Sequence, residues 1–269
     1  MSYFVTFRSV VPMRAEASET AEMISQLLFG EYGTILDAKG SFVRVENYFD
    51  KYQGWVDAKM IENLSDRVFF ELTLGKTFRV NQALVEAESI ADASNVLRLT
   101  GGSLLPAYNP QNSTFGVGEE NQYYIHPDAV VDATNPKDII SIEFARQYTE
   151  TPYLWGGKNA MGIDCSGFSQ VVYAVSGIGL PRDASQQIKQ GVKVPSLNEV
   201  LPGDLAFFDK NGKITHVGIF LSKQKIIHSS GWVKVEFIDK EGIINNRTGK
   251  YSHHLYEIRR YTDNNSVSK

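Results

Sequence analysis

Gly162-Ile163-Asp164-Cys165-Ser166-Gly167-Phe168, running on into Ser169-Gln170-Val171-Val172-Tyr173-Ala174-Val175, decides how this chain is read. The second half has the apolar spacing of a helix. The first half is a glycine-containing loop, so Cys165 is expected where the loop turns into the helix. The first N–H groups of a helix have no partners within it and carry partial positive charge. That setting favours a thiolate and can lower a cysteine pKa from about 8.5 toward ~3.5–7.5. The same N–H groups can hold the oxyanion of a tetrahedral intermediate. Cys165 is the single cysteine, which excludes an internal disulfide and a multi-cysteine metal site. The competing reading is a small buried hydrophobe.

Two of the five histidines give the cysteine company. His216 lies in the alternating run Ile214-Thr215-His216-Val217-Gly218-Ile219-Phe220, and His228 in Lys225-Ile226-Ile227-His228-Ser229-Ser230. Ser222-Lys223-Gln224 between them reads as a hairpin connection, so the runs are expected to be neighbouring antiparallel strands. Side chains on one face of such a pair meet. One imidazole can then orient the other as a base for Cys165, the nucleophile–base–orienter pattern of cysteine catalysis. Read as metal ligands, Cys165, His216 and His228 lack a fourth donor and any tight spacing. No metal or organic cofactor is expected.

Around this segment the chain has 269 residues, 42% hydrophobic and 22% charged, the balance of a globular protein of two or three domains. A net charge of −4 argues against a nucleic-acid partner and a polybasic membrane anchor. No run reaches the ~18–20 apolar residues of a membrane span. The opening Met1-Ser2-Tyr3-Phe4-Val5 has no basic and apolar leader pattern, so a cytoplasmic location is expected.

Residues 1–65 alternate in short runs, Gly33-Thr34-Ile35-Leu36, Ser41-Phe42-Val43-Arg44-Val45-Glu46 and Gly54-Trp55-Val56, which predict a small antiparallel barrel. Residues 66–132 have the same character in Phe78-Arg79-Val80, Asn95-Val96-Leu97-Arg98-Leu99 and Gln122-Tyr123-Tyr124-Ile125-His126. Asp132–Pro136 reads as a linker. The spacing over 137–148 predicts a helix, with Asn135 as cap and Pro136 in the first turn. Residues 133–269 form the largest unit, mixed helix and strand.

Taken together, Tyr153-Leu154-Trp155-Gly156-Gly157, Asp164–Phe168, Leu180-Pro181-Arg182 with Gln186, Pro202-Gly203-Asp204-Leu205 and His216-Val217-Gly218-Ile219 resemble the NlpC/P60 family of cell-wall cysteine peptidases. The resemblance implies an α+β papain-like catalytic domain, with Cys165 as nucleophile, His216 as base and His228 as the polar residue orienting it. Tyr153 would stand near the oxyanion, and Gly156 and Gly157 would allow close backbone approach. The Pro202–Leu205 run also reads as a plain turn. Upstream, Asp50-Lys51-Tyr52-Gln53-Gly54-Trp55-Val56 resembles the closing motif of a bacterial SH3 barrel. The expected organisation is two all-β SH3-like barrels, 1–65 and 66–132, before the catalytic domain.

Within the family this arrangement is similar to the subgroup that cleaves γ-D-glutamyl–diamino acid bonds of murein peptides carrying a free N-terminal L-Ala. The resemblance thus implies a monomeric cytoplasmic endopeptidase of peptidoglycan recycling, with L-Ala-γ-D-Glu-diamino acid as substrate. A site built to pair an ammonium rejects ligands lacking one. Asp164, Ser166, Asp183, Tyr52 and Glu22 are the candidates, with Tyr153 and Trp155 beside them. Each has an ordinary reading too: Tyr52 as barrel core, Glu22 as a solvated carboxylate, Asp183 as a helix cap. Arg182 reads as a fork for a substrate carboxylate or as a brace for Asp183. Two other functions stay open, an extracytoplasmic hydrolase of intact wall and a non-catalytic wall-peptide binding module.

Overall fold

The computed structural model describes residues 2–92, 94–117, 121–137 and 140–261. The chain falls into two compact units, Met1–Thr134 with Lys158–Ala160, and Asn135–Gly157 with Met161–Lys269.

In the first unit, seven strands make one antiparallel sheet in the order Met23–Leu28, Val10–Arg14, Gln53–Asp57, Phe42–Asn47, Tyr32–Lys39, Ser2–Val5, Glu62–Leu64. Alternation sends Val11 and Met13 inward from Val10–Arg14. They meet Phe4, Leu27, Val45 and Val56, and Tyr52 packs against this core. This is the SH3-like sheet that the first segment predicts.

The second segment differs from a plain repeat. A helix over Asp66–Leu74 opens it, capped by Ser65, whose hydroxyl accepts from the Val68 N–H. A four-stranded sheet follows in the order Val96–Thr100, Leu84–Ser89, Asn121–Tyr124, Thr114–Val117, and Phe78–Val80 pairs with Val130–Asp132. Val5, Phe29 and Tyr32 share one core with Phe69, Val80, Leu99, Phe115 and Ile125. The expected division at 65/66 is therefore not a division of packing. The first segment thus has one core of its own and buries a second apolar face together with the following segment.

One buried ion pair also belongs to this unit. Lys158 Nζ donates to Glu31 Oε1 at 3.1 Å, with both side chains almost fully enclosed. Glu31 also accepts from the Leu28 N–H and from Asn47. Gln26 Oε1 accepts from the Lys158 N–H at 2.8 Å and from Asn159 at 2.9 Å.

In the second unit, the first helix begins at Ile142 and ends at Arg146. Its cap is Ser141, whose hydroxyl accepts from the Phe144 N–H, and not Asn135. Asp138 and Ile139 of the predicted helix lie outside the described residues. The helix Cys165–Ala174 is buried over nine of its ten residues, as expected of one apolar nearly all round. Seven strands form an antiparallel sheet in the order Val192–Lys193, Tyr251–Arg260, Leu205–Lys210, Lys213–Ser222, Lys225–Ser230, Trp232–Ile238, Gly242–Ile244. Tyr251–Arg260 also pairs with Gly242–Ile244, which joins the last strand of that order to the second. Ala206, Phe208, Phe220, Ile226, Ile238 and Ile258 fill it. Among the described residues no helix is long and apolar enough to cross a membrane.

Candidate active site

Asp164 ends the loop and caps the helix that Cys165 begins, accepting from the Gly167 N–H at 2.7 Å. The loop needs its glycines. Gly156 has φ +76°, in the left-handed region, and its N–H donates to Asp164 Oδ2 at 2.8 Å. A Cβ on Gly157 would strike the Gly162 and Leu154 carbonyls. Arg182 completes the loop's support. It donates to Asp164 Oδ1 at 3.0 Å, to Oδ2 at 2.5 Å and to Ser166 Oγ at 2.9 Å. With 1% exposure, its guanidinium is enclosed against Asp164 and Ser166. The fork holds the loop before the nucleophile.

Cys165 is buried, and its electrostatics differ from the helix-end expectation. Burial, and next the Asp164 carboxylate, push the thiol up to about 12. The Val217 and Ser166 N–H groups and Arg182 pull the other way without prevailing. Enclosure opposes the helix end and favours the neutral thiol, a nucleophile that works through a base. The hydrogen bond from Val217 places the sulfur beside residue 216.

His216 Nε2 and His228 Nδ1 are 2.8 Å apart on neighbouring strands, both buried. Gly218 makes room for this pairing, since a Cβ there would lie 2.9 Å from the His228 Cβ and 2.7 Å from Ile226 Cδ1. Burial, followed by His228 and His253, holds His216 well below the usual histidine range. Burial lowers His228 as well, against the pull of Glu236.

Two further residues were not singled out by sequence. His253, on Tyr251–Arg260, stacks on the His216 ring with centroids 4.2 Å apart. Burial, then His228, lowers it to about 4. Glu236, on Trp232–Ile238, receives His228 Nε2 at 3.0 Å. An His-His doublet and a glutamate between valine and phenylalanine carry no signal of such roles.

Nitrogens of His216, His228 and His253 lie within 4.8 Å of one another. Two ligands of one tetrahedral zinc, each at 2.0–2.1 Å, stand about 3.3 Å apart. The 2.8 Å pairing of His216 with His228 is a hydrogen bond and would have to break to admit an ion.

The remaining candidates are placed as follows. Tyr153 is half-buried in the second unit. Burial raises its hydroxyl's pKa, and the Cys165 and Asp164 charges add to the rise. Trp155 is 61% exposed. Ser166 follows the nucleophile and bonds Asp164 and Arg182. Asp183 caps the short helix Ala184–Gln187 and shares a capping box with Gln186. Asp204 accepts two bonds from Arg260 and one from the Leu201 N–H, a structural fastening of its turn. Tyr52 and Glu22 belong to the first unit, Tyr52 against its core and Glu22 exposed.

Comparison with known proteins agrees with this geometry. Residues 150–260 match the NlpC/P60 family, and residues 13–61 match the bacterial dipeptidyl-peptidase SH3 domain. A γ-D-glutamyl-L-lysine dipeptidyl-peptidase of Bacillus subtilis is 33% identical over 133 residues, 47% of this chain and 45% of that protein. A protein of the same name from Bacillus cereus is 28% identical over 228 residues, 76% of this chain and 66% of that protein. The chain thus spans less than two thirds of either relative. The crystal structure of an NlpC/P60 family protein from Bacillus cereus superposes with a TM-score of 0.79 at 20% identity, covering 96% of this chain and 99% of that one, a likeness of fold. With its cysteine at a helix start and its histidine pair on adjoining strands, the segment 150–260 is an NlpC/P60 cysteine peptidase domain, and a bacterial SH3 domain precedes it in the chain.

Proposed function

We propose that this protein hydrolyses the γ-D-glutamyl–diamino acid bond of murein peptides with a free N-terminal L-Ala, acting in the cytoplasm on released peptides of peptidoglycan recycling. The observation that carries the chemistry is the buried His216–His228 hydrogen bond on the strand whose Val217 N–H donates to the Cys165 sulfur. The names of the two relatives support the bond specificity.

As the Cys165 sulfur attacks the γ-carbonyl carbon, its proton passes to His216 and the carbonyl π pair moves to oxygen. Backbone N–H at the helix start and the Tyr153 hydroxyl are the donors for that oxyanion. Collapse breaks the C–N bond, and His216 returns the proton to the leaving amine. A water then attacks the thioester, giving a proton to His216, and Cys165 leaves as the thiol. Asp164 and Ser166, beside the nucleophile, are the acceptors we assign to the L-Ala ammonium. The segment after Ser65 is, in this proposal, a divergent second SH3-like module.

Purified protein should release the diamino acid from L-Ala-γ-D-Glu-diamino acid, and N-acetylation of the L-Ala should slow this at least tenfold. Cys165→Ala should abolish turnover. Full activity in Cys165→Ala would overturn the mechanism, and preference for intact sacculi over the free tripeptide would overturn the recycling role.

A further inference from the structure

The line of hydrogen bonds does not stop at His228. Its Nε2 stands 3.0 Å from Glu236 Oε2. Glu236 is 4% exposed, so this is an enclosed carboxylate with a fixed set of partners. Its other oxygen, Oε1, accepts from the Asn246 N–H at 3.1 Å. Lys234 Nζ lies 3.8 Å from Oε2. Burial would raise this carboxyl, but the His228 hydrogen bond, the Asn246 N–H and the neighbouring charges together hold it lower. With His228 and a backbone N–H on its two oxygens and an ammonium at 3.8 Å, its surroundings are those of an ionised, acceptor-only carboxylate.

An acceptor at one end of a relay dictates every proton along it. Glu236 can only receive, so His228 must carry its proton on Nε2. His228 Nδ1 is then a lone pair and can only accept, so His216 must carry its proton on Nε2, the atom 2.8 Å away. A neutral imidazole has one N–H. The lone pair of His216 is thereby left on Nδ1. We propose that Glu236 is a positioning residue of this active site, fixing the tautomers of His228 and His216 so that His216 Nδ1 is the proton acceptor for Cys165.

When the thiol proton moves to Nδ1 and sulfur bonds carbon, His216 becomes an imidazolium. Its Nε2–H still donates to His228, and the buried carboxylate lies beyond His228 with the opposite charge. No other reactant is needed. The groups facing the relay are Lys234 on its own strand with Glu236, His253 stacked on His216, and Asp164, Arg182 and Tyr153 around the thiol.

Glu236→Gln is the decisive variant because it keeps the shape and changes one acceptor into a donor. Both partners of Glu236 require acceptors, so the amide must turn its NH2 to one of them. The Asn246 N–H can only donate, whereas His228 can exchange its tautomer, so the NH2 faces His228, reverses both tautomers and leaves an N–H on His216 Nδ1. The reading rests on Cys165 and His216 acting as nucleophile and base, so the measurement is made without peptide. Iodoacetamide alkylation of Cys165, the sole cysteine, is followed from pH 5 to 10 in wild type, Glu236→Gln and Glu236→Asp. The glutamine variant should react at least tenfold more slowly at pH 7, the gap narrowing as rising pH increases the thiolate fraction without help from the base, and aspartate should restore part of the rate. A structural defect alone would not close with pH. Imidazole 15N spectra of the wild type should show Nε2 protonated and Nδ1 bare in both His216 and His228, a readout independent of whether any variant folds. Nδ1–H in either ring, or unchanged alkylation in a folded Glu236→Gln, overturns the proposal. Failure of the wild type to cleave the tripeptide would instead count against the proposed activity, leaving the tautomers as found.

Discussion

A single methyl group at Gly218 would disturb the relay more than many larger changes elsewhere. The added Cβ would sit 2.9 Å from the His228 Cβ, well inside contact distance, so one strand must shift. Misplacing a catalytic group by about 1 Å can cost on the order of 10²-fold. Gly218→Ala should therefore lower kcat by ten- to a hundredfold on the tripeptide while KM changes little, as steady-state kinetics will show. At this scale much of the site was legible. Cys165, His216 and His228 announce themselves by residue type, helix start and alternating runs. Glu236 did not. In Trp232-Val233-Lys234-Val235-Glu236-Phe237-Ile238 hydropathy assigns glutamate to water, yet Glu236 is 4% exposed and Phe237 52%. Hydrogen bonds to His228 and Asn246 invert the face that apolar content suggests. The thiol's surroundings are hidden for a related reason: sequence shows the helix end but not the enclosure that opposes it.

Among the elements, the strands that carry His216, His228 and His253 bring three imidazoles into ring contact, all with pKa values lowered chiefly by burial. A histidine held below its unfolded value near 6.5 takes up a proton more readily in the unfolded chain. Stability from such groups is complete above about pH 6.5 and is lost as pH falls toward the folded values, about 4 for His253. Each extra proton on the unfolded chain costs about 1.4 kcal/mol per pH unit. Tm should thus drop steeply between pH 6.5 and 4. His253→Phe, which keeps a stacking ring and cannot titrate, should show a shallower drop, and equal slopes in calorimetry would refute this. Strand positions were mostly readable from alternation. Helix starts were less so. Ser141 took the cap expected of Asn135, since a hydroxyl three residues before Phe144 reaches its N–H. The helix Asp66–Leu74 passed unnoticed because aromatic and β-branched residues in Val68-Phe69-Phe70 also suit a strand.

For the whole molecule, the sequence suggested three consecutive modules, and the fold has two units that are not consecutive in the chain. Lys158–Ala160 belongs with Met1–Thr134, tied there by the Lys158–Glu31 pair with 3% and 5% of the two side chains exposed. No local pattern could reveal a partnership spanning 127 residues. Glu31→Gln leaves an ammonium enclosed without its counter-charge, which typically costs about 3–5 kcal/mol. The double change Glu31→Gln with Lys158→Met should recover most of that loss in urea unfolding. A single change as mild as the double one would refute the prediction.

The excursion of the chain at Lys158–Ala160 also bears on how such proteins recombine. A crossover at residue 134 would hand the descendant an SH3-bearing half from one parent and its lysine from the other. A descendant that receives only one of the two charges encloses it without its partner.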